Sequence, residues 1–578
     1  MLRVGIIGFG PRGLSILERL VSKKLGQIIN DKLEIYIFDP NSLGSGCHSP
    51  KQSSRLLVNT VASQMTIFAD ETICPNEFFI KGPNFYEFLL SKGYKADKNG
   101  YYSRVLLGKY LEHSFQCILK LCSQDISIHI VKEYAQCIIQ QEKYFIISGE
   151  NTKIEVDSAF ITTGHNQNQN NFPMYSAYPL EISTQNISAN DAIGIKGLGL
   201  SAIDVITMLT SGNGGFFEKL NNELIYNPSG KEPKIFVFSR SNLPLMARAI
   251  TQKETREQYQ AIFFNSTTIK KLKKEFKKLN FEKQILPLII KEMEYVYSYT
   301  YINLKSQEDS FLFRNEYLTS IDTQSVLDKY IPKCDQFNFY SLVNPLQKII
   351  DKQDFYSQLI TYLENDIKEA RLGNLKSPIK SACDVLRDVR DNLRLCVDFG
   401  GLDEESYKFF IHSFVPINNR LCVGPPLVKI EELLALIKAN VVNVLHDVTI
   451  KHIENTQFQL VDSFNNSYCV NRLIDARINE IKINEIKIND NALFQSLIAN
   501  NLATKFNYGN LELECLKIDE NFCSINKDNK TIDRLFILGL PTEGIKFYTF
   551  ILPRPHIAST FLCDSNKAVD SLIKRTQA

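Results

Sequence analysis

The apolar positions fall into short β-branched runs that alternate with longer stretches of helical spacing. Residues 3–7 (RVGII) predict a buried parallel strand, residues 14–21 carry apolar side chains at helical spacing, and residues 33–38 (LEIYIF) predict a second strand. The same succession returns at residues 192–195, 201–209 and 234–238, with turn formers filling residues 211–233. Residues 534–538 form one more apolar strand, and a helical segment at residues 558–573 then brings the chain back to its first sheet. Lysine-rich segments with apolar residues at helical intervals, residues 268–303 and 347–369, predict a mainly helical insertion over residues 252–400. Alternation of this kind predicts an α/β protein with parallel sheets. Residues 478–490 read INEIKINEIKIND, a low-complexity repeat suited to a surface loop.

Two of the predicted strand-to-helix turns are glycine-rich: Gly8-Phe9-Gly10-Pro11-Arg12-Gly13 and Gly197-Leu198-Gly199-Leu200-Ser201-Ala202. In such a turn the first glycine lets the chain reverse and the second lets backbone approach a pyrophosphate. A small third residue lets helix pack on strand, and the helix N-terminus offers free N–H groups to the anion. Two cradles predict two dinucleotides, and hence a flavoenzyme that moves hydride from a nicotinamide onto FAD. The strand after the first cradle ends in Asp39, whose carboxylate can accept from both hydroxyls of an adenosine ribose. The strand after the second ends in Ser239-Arg240, where a hydroxyl and a guanidinium suit the 2′-phosphate of NADPH. The expected fold is a two-dinucleotide-binding flavoprotein with Rossmann-like FAD and NADPH domains. Residues 1–185 and 530–578 form the FAD domain, and residues 186–251 and 401–529 form the NADPH domain and its connecting region. The helical insertion, residues 252–400, is placed to act as a lid.

Composition narrows the partners. A chain of 578 residues with 44% hydrophobic positions can fill two or three cores. Its 66 basic and 64 acidic residues leave +2, which gives no reason to expect nucleic acid or a membrane surface. No stretch reaches the ~20 apolar residues of a membrane span. Small molecules are the expected partners, with a homo-oligomer left open. Thirteen cysteines without paired spacing, on a chain that opens in a strand and not in a charged and apolar leader, predict a reduced, cytoplasmic protein. Cys47 has no cysteine four or five positions away, which argues against the cysteine pair of a disulfide reductase. Cys117 and Cys122 lie in or beside an amphipathic run and are expected to pack as apolar residues. No metal is predicted, because Cys, His and carboxylates nowhere cluster at ligand spacing. The alternating charges of residues 386–391 (LRDVRD) read as a solvated helix face.

From residue 38 to residue 72 the chain reads FDPNSLGSGCHSPKQSSRLLVNTVASQMTIFADET. Further segments read GPNFYEFL from Gly82, YYSRVLLGKYL from Tyr101, ITTGHN from Ile161, GLGLSAIDVI from Gly197, SRSNLPLMARA from Ser239 and LGLPTEG from Leu538. On these segments the chain resembles a family of FAD/NAD(P)-binding proteins related to flavin-dependent N-monooxygenases, including enzymes that take aspartate to nitrosuccinate. The resemblance implies NADPH, FAD and dioxygen, a C4a-hydroperoxide on the reduced flavin, and N-oxidation of a small, aspartate-like amino acid. It also implies that the amides of Asn59 and Gln64 face the flavin beside Met65, and that the turn at Thr163-Gly164 passes close to cofactor. Gly539, Thr542, Glu543 and Gly544 are then expected to bring backbone to the flavin, and His165 to tune it or move a proton. Arg248 is the candidate clamp for a substrate carboxylate, since its fork presents two parallel N–H groups. Two other readings stay open: an FAD-dependent NAD(P)H oxidoreductase or oxidase without a stabilised oxygen adduct, and a non-catalytic nucleotide-binding protein.

Overall fold

Six strands build the first sheet, in the order Cys523–Ile525, Thr531–Ile537, Ser158–Ile161, Leu2–Ile7, Leu33–Phe38 and Ile126–Val131. Only the first two of these neighbours run antiparallel. The structure, a computed structural model, describes residues 1–577 apart from residues 42, 165–173, 222, 454–456 and 478–490. Leu2–Ile7 lies inside the sheet with neighbours on both sides, and its near-continuous burial explains the unbroken apolar pattern of residues 3–7. The helix Pro11–Leu25 packs against Arg104–Leu119 and against the C-terminal helix Thr560–Gln577, so both ends of the chain close one core.

Five parallel strands build the second sheet: Val442–Leu445, Lys234–Phe238, Ala192–Lys196, Arg472–Asp475 and Met174–Ser176. The two sheets share a construction. Each has a cradle-bearing strand with a glycine in it, Gly5 or Gly194, and a three-stranded antiparallel sheet lies against that glycine. A Cβ at Gly5 would meet Ile147 Cδ1 at 2.4 Å, and one at Gly194 would meet Leu460 Cδ1 at 3.2 Å. Glycine in a strand interior usually weakens it; here it admits the covering layer. The covers are Cys137–Gln140, Phe145–Ser148 and Lys153–Val156 for the first sheet, and Thr449–Ile453, Gln457–Val461 and Ser467–Val470 for the second.

The helical body centres on Leu286–Asn303 packed against Pro378–Asp388. Lys352–Leu372 packs on Leu427–Lys438 and buries Phe355, Leu359 and Leu363 in the core of the second domain. Four segments lie outside the boundaries that the sequence suggests. Met174–Ser176 pairs into the second sheet, Cys523–Ile525 into the first, and Glu404–Phe409 and Val415–Cys422 extend the helical body past residue 400. These elements are short, and long-range partners fix their place. Residues 211–233 likewise do not remain all turns, because Phe216–Leu220 and Glu223–Asn227 pair as an antiparallel hairpin. The repeat at residues 478–490 lies outside the described residues. Among the described residues, no helix is long and apolar enough to cross a membrane.

Candidate functional site

The first cradle closes around backbone. Gly8 has φ of +84°, and a Cβ there would stand 2.8 Å from Thr163 Cα. A Cβ at Gly13 would stand 2.5 Å from the Gly8 carbonyl oxygen, which shows how tightly helix meets strand. Gly10 caps the helix with no side-chain hydrogen bond, and Pro11 follows at the first helical position, so the first-turn N–H groups stay available to an anion. The loop through Gly46 leans over this turn, with Gly46 Cα 3.3 Å from where a Gly10 Cβ would be. Asp39 Oδ2 accepts from Phe9 N at 2.7 Å and Oδ1 from Asn41 N at 2.9 Å, which fixes the carboxylate against the cradle. Thr163 Oγ1 is buried without a hydrogen-bond partner among the described residues, and the space beside Gly164 is open. An orphaned hydroxyl, bare helix N–H groups and a fixed acid make a donor and acceptor set that fits FAD.

Arg12 turns away from this anion seat. Its guanidinium stacks on the Phe561 ring at 3.6 Å and donates to the Phe561 carbonyl at 2.6 Å, tying the cradle helix to the C-terminal helix. Burial lowers its pKa to about 10. Gly539, with φ of +79°, lies next to Arg12, its added Cβ 3.6 Å from Arg12 Cγ, and opens the short turn Leu540–Thr542. Glu543 is committed to the same loop: its buried carboxylate accepts from Tyr548 N at 2.8 Å, Thr549 N at 2.6 Å and Thr549 Oγ1 at 2.7 Å. Gly544 takes φ of +126° beside Cys515.

The second cradle is roomier. Gly197 has φ of +122°, and Gly199 caps Leu200–Leu209 without a side-chain bond; the nearest atom to a Gly199 Cβ is Leu245 Cδ1 at 4.0 Å. Ala202 is fully buried where helix meets sheet, and Ser201 Oγ is buried without a partner among the described residues. Ser239 and Arg240 follow the strand Lys234–Phe238, with Arg240 exposed. These groups fit NADPH, whose 2′-phosphate needs a cation reachable from solvent.

A buried three-residue latch joins the two domains. Arg104, on the first, makes an ion pair with Asp204 on the helix of the second cradle; Tyr178 donates to Asp204 and accepts from Arg104 at 3.0 Å, while Arg104 Nε donates to the Leu57 carbonyl at 3.2 Å. Burial alone would lower the Arg104 pKa; Asp204 and Tyr178 reverse this and raise it.

Segments from every part of the chain meet beside this latch. Asn59 Nδ2 donates to the Val423 carbonyl at 3.3 Å, Thr66 N to the Pro553 carbonyl at 3.0 Å, and Arg248 N to the Pro425 carbonyl at 2.9 Å. Gln64 Oε1 accepts from Arg387 Nη2 at 3.2 Å, and buried Met65 holds Phe85 N through its carbonyl at 2.9 Å. Arg248 is set by its neighbour. Asp366 accepts from Ala247 N at 2.7 Å, and Lys380, paired with Asp366 at 2.5 Å, donates to the Ala247 carbonyl at 2.8 Å. His165 lies outside the described residues.

Sequence reasoning missed the rest of this cleft. Residues 386–391 present Arg387 and Arg390 to it, not to bulk solvent. Arg387 pairs with Asp384 at 3.3 Å, Lys253 bridges Asp384 at 2.7 Å and Asp388 at 3.0 Å, and Arg390 stacks over Tyr548 at 4.0 Å. Arg554 donates to the Thr255 carbonyl at 3.1 Å. Nε of Arg248, Arg390 and Arg554 is in each case buried without a hydrogen-bond partner among the described residues. Burial, with repulsion from Arg387, lowers the pKa of both Arg248 and Arg554 to about 10, whereas Arg387 is raised because Asp384 and Asp388 outweigh its burial.

Residues 5–166 match the FAD-NAD(P)-binding family. The chain is 27% identical over 598 residues to a nitrosuccinic acid synthase of Aspergillus oryzae, covering 97% of this chain and 91% of the relative. It is 26% identical over 627 residues to an L-aspartate N-monooxygenase (nitrosuccinate-forming) of Streptomyces davaonensis, covering 97% and 96%. A protein of the same description from Streptomyces cremeus is 27% identical over 498 residues, covering 77% of this chain and 74% of that one.

Proposed function

We propose that this chain, whose residues 5–166 match the FAD-NAD(P)-binding family and whose relatives of like length include nitrosuccinate-forming aspartate N-monooxygenases, is an NADPH- and FAD-dependent monooxygenase that N-oxidises the amine of a small, aspartate-like amino acid. The observation that carries the reading is the pairing of two unlike cradles, one followed by Asp39 and the other by Ser239-Arg240, in a chain that also gathers Arg248, Arg390 and Arg554, each with a buried Nε that has no partner among the described residues. FAD, held by the first cradle and Asp39, would supply the redox chemistry of hydride acceptance and oxygen transfer. The protein's part is to bind and orient. Bare N–H groups at Gly10 and Gly199 seat the two pyrophosphates. Arg240 selects the phosphorylated nicotinamide, and Arg248, fixed through Ala247, anchors a substrate carboxylate. Gln64, whose oxygen is occupied by Arg387, keeps its N–H2 group free of partners among the described residues and available as a donor. The helical body encloses the cleft and limits entry of water.

The test is a panel of amino acids added to FAD-loaded protein with NADPH. Aspartate is expected to accelerate NADPH oxidation and to yield an N-oxidised product by mass spectrometry. Hydrogen peroxide in stoichiometric yield with NADPH, and no N-oxidised amino acid, would make the protein an oxidase.

A further inference from the structure

A net charge near zero hides a local excess. Residues 266–283 (STTIKKLKKEFKKLNFEK) carry seven lysines, two glutamates and no arginine, although the whole chain stands at only +2, so the remainder is net acidic. The helix Ser266–Glu275, capped by Asn265, packs on Arg390–Val397 and buries Ile269. It leaves Lys270, Lys271 and Lys274 exposed, and at three and four positions apart these are surface neighbours. Exposed Phe276 and Lys277 continue the patch past the helix end. None of these four lysines has a carboxylate within ion-pair distance among the described residues, whereas the exposed Lys98 and Lys329 are paired with Glu254 and Glu316. Lysines in a last turn complement the helix dipole, which accounts for Lys273 and Lys274 but not for Lys270, Lys271 or Lys277. Like charge is already crowded here: Lys278, which donates to the Gly400 carbonyl, has its pKa lowered by burial and then by Lys277 and Lys273.

Unpaired like charges at these spacings destabilise a helix unless something outside the chain balances them. Lysine alone, without arginine, says what kind of partner does so. Ammonium groups on flexible stems are point charges and not forks, so they suit a plane of many anions better than one phosphate held bidentately. The exposed ring of Phe276 among them is of the type that settles at the level of lipid headgroups. We propose that the helix Ser266–Glu275 and the Phe276-Lys277 segment dock the protein on the surface of an anionic lipid bilayer. The contact is peripheral, since no helix among the described residues is long and apolar enough to cross a membrane and the buried Ile269 is held by the protein's own core. Attraction is therefore electrostatic, with Phe276 as the one apolar group added to it. Docking of this kind is independent of the reaction catalysed. Charge averaged over the whole chain does not reveal it, because the field at a surface is set by the charges nearest to it.

Flotation of the FAD-loaded protein with vesicles of phosphatidylcholine, with and without phosphatidylglycerol, tests the surface. The protein is expected to float with the anionic vesicles and not with the neutral ones, and to be released as salt rises from about 0.1 M to about 1 M. Each lysine at a membrane surface contributes roughly fivefold in partition, so the triple variant Lys270→Gln, Lys271→Gln, Lys274→Gln should partition roughly 100-fold more weakly, with flavin content and melting temperature unchanged. The matching triple Lys→Arg variant keeps the charge and should still float. A second triple variant on the first domain, Lys92→Gln, Lys109→Gln, Lys120→Gln, makes the same change in net charge at exposed positions and should float like wild type. If the first triple variant does not fold, Lys271→Gln and Lys274→Gln singly, each expected to lose roughly fivefold, decide the matter. Equal partition onto neutral and anionic vesicles overturns the proposal, as does an equal loss in the two Gln triples. Binding to duplex DNA without binding to anionic vesicles also overturns it, and would make the patch a nucleic-acid contact.

Discussion

Replacing Asp204 by asparagine strips the buried Arg104 of its counter-charge while leaving the shape of the latch almost unchanged. The two side chains retain 16% and 7% of their surface, so solvent screens the pair little. Breaking such a buried pair from one side costs about 3–5 kcal/mol, most of it the desolvated charge left behind. For a cooperative unit of about 200 residues that is a fall in melting temperature of roughly 6–20 °C. Scanning fluorimetry of the FAD-loaded protein reads it directly. The triple variant Arg104→Met, Asp204→Leu, Tyr178→Phe removes all three polar heads together and is expected to recover most of that loss, since an apolar set of similar volume often replaces a buried ion pair without penalty. It should not recover the rate at which NADPH reduces the flavin, because the latch also holds the helix of the second cradle to the first domain. A single Asp204→Asn variant that melts within about 2 °C of wild type would refute the reasoning, for the pair would then be solvated and the domains held by other contacts.

Arg240 is exposed, so Arg240→Ala should spare the fold and raise the KM for NADPH by about tenfold, the lower end for a charge-assisted hydrogen bond, with the KM for NADH little changed. Equal losses for the two nucleotides would remove Arg240 from the 2′-phosphate. Cys47, on the loop that leans over the first cradle, is exposed, and its neighbour His48 holds its thiol down to about 7. Burial pushes Cys383, Cys396 and Cys515 up to about 12. Because the thiolate is the nucleophile, iodoacetamide labelling of Cys47, followed by peptide mass spectrometry, should rise with pH through about 7 and level off above about 8. A rate still climbing through pH ~9 would contradict the lowered value.

What could be read from the sequence was local. The glycines of both cradles need only their own turns to be recognised, and the positive φ at Gly8 and Gly197 is the backbone reason for those residues. The chain ends follow from apolar runs, because burial of Leu2–Ile7 among parallel neighbours writes itself into consecutive positions. The cleft is different in kind. LRDVRD has the same charge alternation whether its face meets water or a hollow inside the protein, and the distinction comes from Gln64, Tyr548 and Cys422, each far from it in sequence. Arg554 stands in an irregular segment with no periodicity, and is brought near Arg248 only because the chain returns past Thr66 after closing the first sheet. Arg104 and Asp204 lie a hundred positions apart, and nothing in either segment announces the other. A motif can say which nucleotide end a turn will hold. Which cations are left without partners is a property of the assembled chain, since it depends on how many acids the fold sends to the same place.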